Sequence, residues 1–458
     1  MTEYVFADMT ASQAADLGAG DIIFVHNDTA SRTTVLFNEN STYTVTIHDK
    51  TLTFGSSFLN LVNATPQSGL VFDDGSVLTI GDSNANRFEL TPNFRVITNG
   101  AAYGGAGDDF LRTGSGNWLI QGNQGADTIT TAGGSNTIYG GQDNDSISLN
   151  GSAGSGLSSS GHFAQGNKGD DTVVGASKAD TLLGGQGNDA IDGQGGQDSL
   201  NGNLGNDSIT GNGLLLGEGG NDTLAAGTES TNTVSGGDGD DQISAGFVVV
   251  GGVNRGAVNT LSGDDGNDFV RSSSPLSDTL SGGAGNDILS ASGNDLDQGD
   301  VLNGDDGDDV LVAQVGADRL RGGAGSDSLS GNDGNDTLDG GAGADTLSGG
   351  AGADVYALTA STGSLTLAAD DRIVDWQSAD HIQLRGAATG YVETTASDFN
   401  AALASAQTSI GNGSAEVVAV QVGADVIVFA DASAGATIDV AAVLVGRSLA
   451  DIAGDNFI

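Results

Sequence analysis

Between residues 295 and 357 seven nine-residue units follow one another without a gap. The unit Gly322-Gly323-Ala324-Gly325-Ser326-Asp327-Ser328-Leu329-Ser330 shows the pattern, and units starting at Gly331, Gly340 and Gly349 repeat it. The sixth place is always Asp, at Asp300, Asp309, Asp318, Asp327, Asp336, Asp345 and Asp354, and the eighth is apolar or aromatic, from Leu302 to Tyr356. Glycines at the first, second and fourth places permit positive φ and let backbone carbonyls crowd inward. The last three residues run polar, apolar, polar and predict a very short strand with one buried side chain. One such strand buries almost nothing, but many stacked in register bury a continuous column.

If the strands form two facing sheets, two units make one coil and equivalent residues recur every eighteen positions. Asp309, Asp327 and Asp345 then form one ladder, and Asp318, Asp336 and Asp354 the opposite one. Carboxylates about 4.8 Å apart, the spacing of neighbouring strands, repel by about 0.9 kcal/mol even at the permittivity of water. A cation between them is required. The turns offer carboxylates and carbonyls without His or Cys, and many oxygens at irregular angles suit Ca²⁺ better than Mg²⁺, which wants a strict octahedron and keeps its waters.

The unit resembles the glycine-rich nonapeptide of RTX proteins, a calcium-binding repeat. That resemblance implies an all-β, right-handed parallel β-roll, folding driven by calcium, and export from a Gram-negative bacterium by a type I secretion apparatus. The metal ligands expected on this basis are the sixth-place aspartates of all the arrays.

From Gly104 to Ser148 five units carry Asp109, Trp118, Asp127, Asn136 and Asp145 at the sixth place, so calcium is expected along one edge there. Residues 149 to 165 interrupt the array and are expected to protrude as a loop. A second array from Gly166 to Thr210 holds Asp171, Asp180, Asp189, Asp198 and Asp207, which predicts metal on both edges. A unit with Asp222 follows, then five units with Asn232, Asp241, Val250, Asn259 and Asp268, and two more with Asp278 and Asp287 before the final array. Of 25 units read in this way, 20 have Asp in the sixth place.

The totals agree with a solenoid. Of 458 residues only 37% are hydrophobic, too few for a large globular core, and 76 glycines with 3 prolines exclude collagen. A net charge of −46, from 60 acidic and 14 basic residues, repels nucleic acid and anionic membrane and holds the chain open at low calcium. There is no cysteine, hence no disulfide framework. The start at Met1 lacks the basic and apolar regions of a Sec-type signal, and no run approaches the eighteen apolar residues of a membrane span.

Residues 1–100 are expected to form a small β domain with strands near 21–25, 43–47, 52–54 and 76–80; residues 101–357 form the roll. Residues 358–458 resemble the C-terminal caps of RTX rolls, which carry the uncleaved secretion signal. Two strands around a turn are expected at 372–376 and 380–384, a helix over 397–407 capped by Ser397, and a strand at 424–430.

Little in the sequence points to catalysis. The four histidines, at 26, 48, 162 and 381, form no His-Glu-x-x-His motif and are expected on strands or at the surface. Gly81-Asp82-Ser83 resembles the nucleophile block of GDS-type esterases, but Ser378 stands where the partner Asp before His381 should be, so a turn is expected instead. Asp375 and Asp380 form a chance carboxylate pair in so acidic a chain, and Leu214–Leu216 and Phe247–Val250 are expected to be buried or, if exposed, to make contacts between molecules.

The reading that follows is a non-enzymatic, calcium-binding, secreted structural protein that assembles into a surface layer, filament or matrix, with cell-surface polysaccharide as a further partner. The alternatives are a monomeric adhesin or carbohydrate-binding module, and a hydrolase carried by residues 1–100.

Overall fold

The computed structural model describes residues 3–6, 9, 11–15, 22–25, 34–38, 42–47, 50–54, 70–72, 77–80, 84–90, 99–114, 116–149, 161–228, 231–250, 253–293, 299–358, 370–384, 390–412, 416–431 and 437–458. Gly81-Asp82-Ser83, His26, His48 and most of the 149–165 interruption lie outside the described residues. The chain divides into two compact units, Met1–Glu218 and Gly219–Ile458.

The first unit opens with a parallel sheet of Glu3–Val5, Ile22–Val25 and Leu70–Phe72 and an antiparallel one of Thr34–Asn38, Thr42–Ile47 and Lys50–Phe54. The expected strands near 21–25, 43–47 and 52–54 are therefore present. Val77–Ile80 belongs to the solenoid, because it pairs in parallel with Asn99–Ala106, while Arg87–Leu90 pairs with Phe110–Thr113. The stacking thus starts a full coil before residue 101.

From there two parallel sheets alternate. One is built of six- to eight-residue strands, such as Asn117–Gln124, Thr137–Gln142 and Thr181–Gln186, and the other of three- or four-residue strands, such as Thr128–Thr130 and Thr172–Val174. Each strand pairs with the strand eighteen residues on, Leu111 on Ile129 and Ile120 on Ile138. The coil holding the interruption is longer, yet Ile147 still stacks on Val173 and Ile138 on Ala164, so the extra residues leave the register untouched.

The second unit repeats this arrangement. Val234, Leu261, Leu280, Leu302, Leu320, Leu338 and Tyr356 stack in one sheet, and Leu224, Ile243, Val270, Leu289, Leu311, Leu329 and Leu347 in the other, all buried. The eighth place of the nonapeptide is the core. Phe247–Val250 and Val253–Gly256 form an antiparallel hairpin that leaves the solenoid, and Ile243 stacks directly on Val270. The unit read over 245–253 is therefore an excursion and not a half-coil.

The roll also runs past residue 357. Asp371–Ile373 pairs with Thr346 and Leu347, and His381–Gln383 with Val355–Ala357, so these strands lie in opposite sheets and complete one more coil instead of forming a hairpin. Beyond it, Val440–Leu444, Asp425–Ala430, Val417–Val422 and Tyr391–Ala396 extend one sheet edge. The helix Phe399–Gly411 lays Ala402, Ala406 and Ile410 against Val418, Val420, Ile427 and Phe429. Its cap is Asp398, whose Oδ1 accepts from Ala401 N at 3.0 Å, so the helix begins and ends later than expected and Ser397 stands outside it. The other sheet ends on Phe457, bridged to Ile382, with Ile458 N donating to the Ile382 carbonyl. Chain from this same unit thus covers the ends of both sheets, one with added strands that leave Tyr391–Ala396 at the margin and the other with Phe457 and Ile458.

Full burial of a leucine is worth about 1.5–3 kcal/mol. Leu320→Ala is expected to lower the urea stability of the calcium-loaded chain by about 2–5 kcal/mol, and Ser328→Ala, on the outer face, to change it by less than about 0.5 kcal/mol.

Candidate metal centres in the turns

The sixth-place side chain does two things at once. Its Oδ1 accepts a hydrogen bond from the backbone N–H of the sixth-place residue one coil earlier. In the turns leading from long to short strands, the first unit has Asp109 N to Asp127 Oδ1 at 2.8 Å, Asp127 N to Asp145 at 2.8 Å, Asp145 N to Asp171 at 2.7 Å, Asp171 N to Asp189 at 2.7 Å and Asp189 N to Asp207 at 2.7 Å. In the second unit the same bond links Asp222, Asp241, Asp268, Asp287, Asp309, Asp327 and Asp345 in succession, at 2.7–2.9 Å. Asp371 closes the series with a bond from Asp345 N at 3.2 Å.

The opposite turns carry a mixed series. Trp118, Asn136, His162, Asp180 and Asp198 follow one another in the first unit. In the second unit Asn259 is followed by Asp278, Asp300, Asp318, Asp336, Asp354 and Asp380. All twenty expected aspartates stand on these ladders and are buried.

The structure adds three residues that the sequence reading missed. His162 lies on the ladder and not in the expected loop: counting eighteen back from Asp180 reaches it, and its Nδ1 lies 3.3 Å from Asn136 N, where a carboxylate oxygen would otherwise accept. Asp371 and Asp380 head Asp-x-apolar-x segments nine residues apart, a faint repeat without its glycines. Asp380 is consumed by bonds from Asp354 N and Gln377 N, while Asp375 accepts from Gly350 N at 2.7 Å, Ser348 Oγ at 2.7 Å and Tyr356 Oη at 3.1 Å. The two carboxylates therefore fasten the last coil.

The second oxygen is different. Oδ2 of Asp127, Asp145, Asp171, Asp189, Asp198, Asp241, Asp268, Asp287, Asp309, Asp318, Asp327, Asp336, Asp345 and Asp354 is buried without a hydrogen-bond donor. A first-place glycine lies beside each such oxygen except that of Asp318, where Ala313 stands. A Cβ on Gly322 would meet Asp327 Oδ2 and the Gly340 carbonyl oxygen, 2.5 Å away; Gly304, facing Asp309 Oδ2 and the Gly322 carbonyl, is the same. The first glycine is thus required for closeness, not for positive φ, which occurs at the second and fourth places, as at Gly323 and Gly325. A carboxylate and a carbonyl oxygen of neighbouring coils converge there with no donor between them. Among the described residues no three carboxylate or imidazole groups converge on one point, so a cation in these turns takes its remaining ligands from the main chain. The oxygen-only donor set fits a hard divalent ion such as Ca²⁺.

Electrostatics state the same need. Burial, partly opposed by the hydrogen bond from the preceding coil and reinforced by neighbouring carboxylates, pushes Asp127, Asp189, Asp241, Asp287, Asp327 and Asp336 up to about 7 and Asp145 to about 8. Asp309 and Asp345 are raised by burial as well.

A second ladder runs beside the first at the fifth place, where sequence reading found nothing. Here the side chain accepts from the following coil: Asp108 from Ala126 N at 3.0 Å, Asp170 from Asn188 N at 2.8 Å, Asn188 from Asn206 N at 2.7 Å, and in the second unit Asp240 from Asn267 N and Asn267 from Asn286 N, both at 2.9 Å. These groups are exposed, and Asp240, bonded by Asn267 N and Nδ2, is held below the ordinary carboxylate range.

A profile of the RTX calcium-binding nonapeptide repeat matches residues 102–117, 119–154, 165–200, 216–247, 256–274, 275–296, 297–329 and 321–356. No curated protein matches the chain. Among solved structures, the extracellular lipase LipA from Serratia marcescens is similar over 66% of this chain and 40% of that one, at 17% identity and a TM-score of 0.18, too slight a likeness to bear on function.

The raised aspartates set a pH dependence. Their folded values lie above the unfolded value of 3.8, so without metal the roll binds protons that the open chain does not. Stability from this source is complete below about pH 4 and is lost as pH rises through about 6 to 8. In chelator, circular dichroism is expected to show β structure growing as pH falls from 8 to 5; an unchanged or falling signal would contradict the burial of these groups.

Proposed function

Since the chain belongs to the proteins built on RTX calcium-binding nonapeptide repeats, we propose that it is a non-catalytic structural protein that folds on extracellular calcium and assembles outside the cell as a layer, filament or matrix. Such repeats imply calcium binding and are typical of secreted proteins. No helix among the described residues is long and apolar enough to cross a membrane. The observation that carries the reading is the series of buried, donor-less Oδ2 atoms facing main-chain carbonyls.

At low calcium these charges oppose stacking, which favours an open chain during passage through a type I apparatus. Outside, each site at ten times its Kd adds about 1.4 kcal/mol to the folded state, and many such sites outweigh the ordering entropy of a chain poor in core residues.

Support for self-contact comes from the outer face of the short-strand sheet in the second unit. The seventh place is polar at Gln242, Ser328 and Thr346, but Phe269, Ile288 and Val310, 43%, 45% and 39% exposed, stack on three successive coils between them. Three exposed apolar side chains at strand spacing form a stripe of roughly 10 Å, enough for a repeated weak contact between copies of a highly charged chain. Among the expected contact residues, Leu215 is buried while Leu214 and Phe247 are exposed. Attachment to cell-surface polysaccharide belongs to the same reading.

Calcium titration followed by circular dichroism and light scattering, with magnesium as control, tests it. A cooperative gain of β signal with calcium alone, then growth in scattering and ordered arrays in electron microscopy, is expected. Ile288→Ser should keep the first response and weaken the second. Dispersed particles over a wide concentration range would replace assembly with a monomeric adhesin.

A further inference from the structure

Three asparagines interrupt the mixed ladders, each with an amide nitrogen where an aspartate has its second oxygen. Asn136 keeps the structural bond, its Oδ1 accepting from Trp118 N at 2.9 Å, and Asn259 N still donates to the next ladder residue, Asp278 Oδ1, at 2.7 Å. Where aspartate presents a bare Oδ2, each asparagine presents an amide nitrogen that donates to a carbonyl of its own turn: Asn136 Nδ2 to Gly133 O at 3.2 Å, Asn232 Nδ2 to Gly227 O at 2.8 Å, and Asn259 Nδ2 to Ala257 O at 3.1 Å.

The same nitrogens tie the ladder together. Asn232 Nδ2 also donates to Asn259 Oδ1 at 2.9 Å, and Asn259 Nδ2 to Asp278 Oδ1 at 3.1 Å. Asp278 in turn takes its other oxygen to Ser272 Oγ. All three asparagines are buried. A buried carbonyl oxygen needs a positive partner, and an N–H group supplies one without any ion.

We infer that the amide nitrogens of Asn136, Asn232 and Asn259 take the place of the cation in their turns, so that these turns are closed without calcium while the aspartate turns are not. This rests on the calcium reading above and deepens it, because it specifies which coil edges are metal-dependent. In the second unit the Asn232, Asn259 and Asp278 turns are joined by protein donors alone, and metal dependence begins further along the ladder, by Asp336, whose Oδ2 has no donor and lies beside Gly331 and the Gly349 carbonyl. In the first unit Asn136 lies between Trp118 and His162, so three successive turns carry no carboxylate at the sixth place. Each unit thus contains a short stretch, at the beginning of its mixed ladder, that can order on that edge before calcium arrives.

The test compares calcium stoichiometry of the full chain by equilibrium dialysis with the calcium midpoint of the β signal. Asn259→Asp exchanges the donor for a second carboxylate beside Asp278 and is expected to bind about one more Ca²⁺ per chain and to shift the midpoint to higher calcium. Asp336→Asn is expected to bind fewer and to fold at lower calcium, and it keeps the test decisive if Asn259→Asp fails to fold. Asn259→Ala, which adds no charge, should leave the stoichiometry unchanged. Equal stoichiometry in the wild type, Asn259→Asp and Asp336→Asn would overturn the inference while leaving calcium-driven folding intact. A wild-type chain that takes up no calcium would overturn both.

Discussion

The described solenoid depends on one bond repeated coil after coil, from a buried backbone N–H to the near oxygen of a side chain eighteen or more residues ahead. A turn that crosses between two sheets leaves its amide facing the next turn and not the next strand, so the strand ladder cannot satisfy it. A short side chain with an acceptor two bonds beyond Cβ reaches that amide, and Asp, Asn and His at the sixth place all do so. Aspartate fixes the turn at the cost of a second buried oxygen with nothing to bind. The need for metal is therefore a consequence of how the backbone is satisfied, and the acidity of the chain follows from that need.

Much of this was legible in the sequence because the repeat is short and its places are chemically distinct. The eighth place announced the core, and the eighteen-residue register followed from stacking identical strands, as Leu302 on Leu320 on Leu338 shows. What escaped was whatever had lost its glycines. His162, Asp371 and Asp380 sit on the ladders, but their units keep only the sixth and eighth places and lack the glycine spacing that marks the repeat. The hairpin at Phe247–Gly256 escaped for the opposite reason: nine residues between two good units preserve the count without preserving the path. Sequence periodicity reports how many residues pass, and only pairing reports where they go.

The roles of the two oxygens were also beyond the sequence. A periodic aspartate predicts mutual repulsion, but not that one oxygen is already spoken for by a backbone N–H, nor that the glycine five residues before it exists to make room for the other. The distinction separates aspartate from asparagine at the same place: both secure the turn, and one of them also requires an ion.

The fifth- and sixth-place ladders point in opposite senses. The exposed side chain of a coil holds the amide of the coil after it, as Asp170 holds Asn188, and the buried side chain holds the amide of the coil before it, as Asp189 holds Asp171. Where both places carry an acceptor, as at Asp170 and Asp171, the turn is consequently gripped from both neighbours. Under tension, parting two such coils must break one bond donated by each of them, whichever end is pulled. A material built on such coils would meet the same paired bonds from either terminus, and would yield one coil at a time.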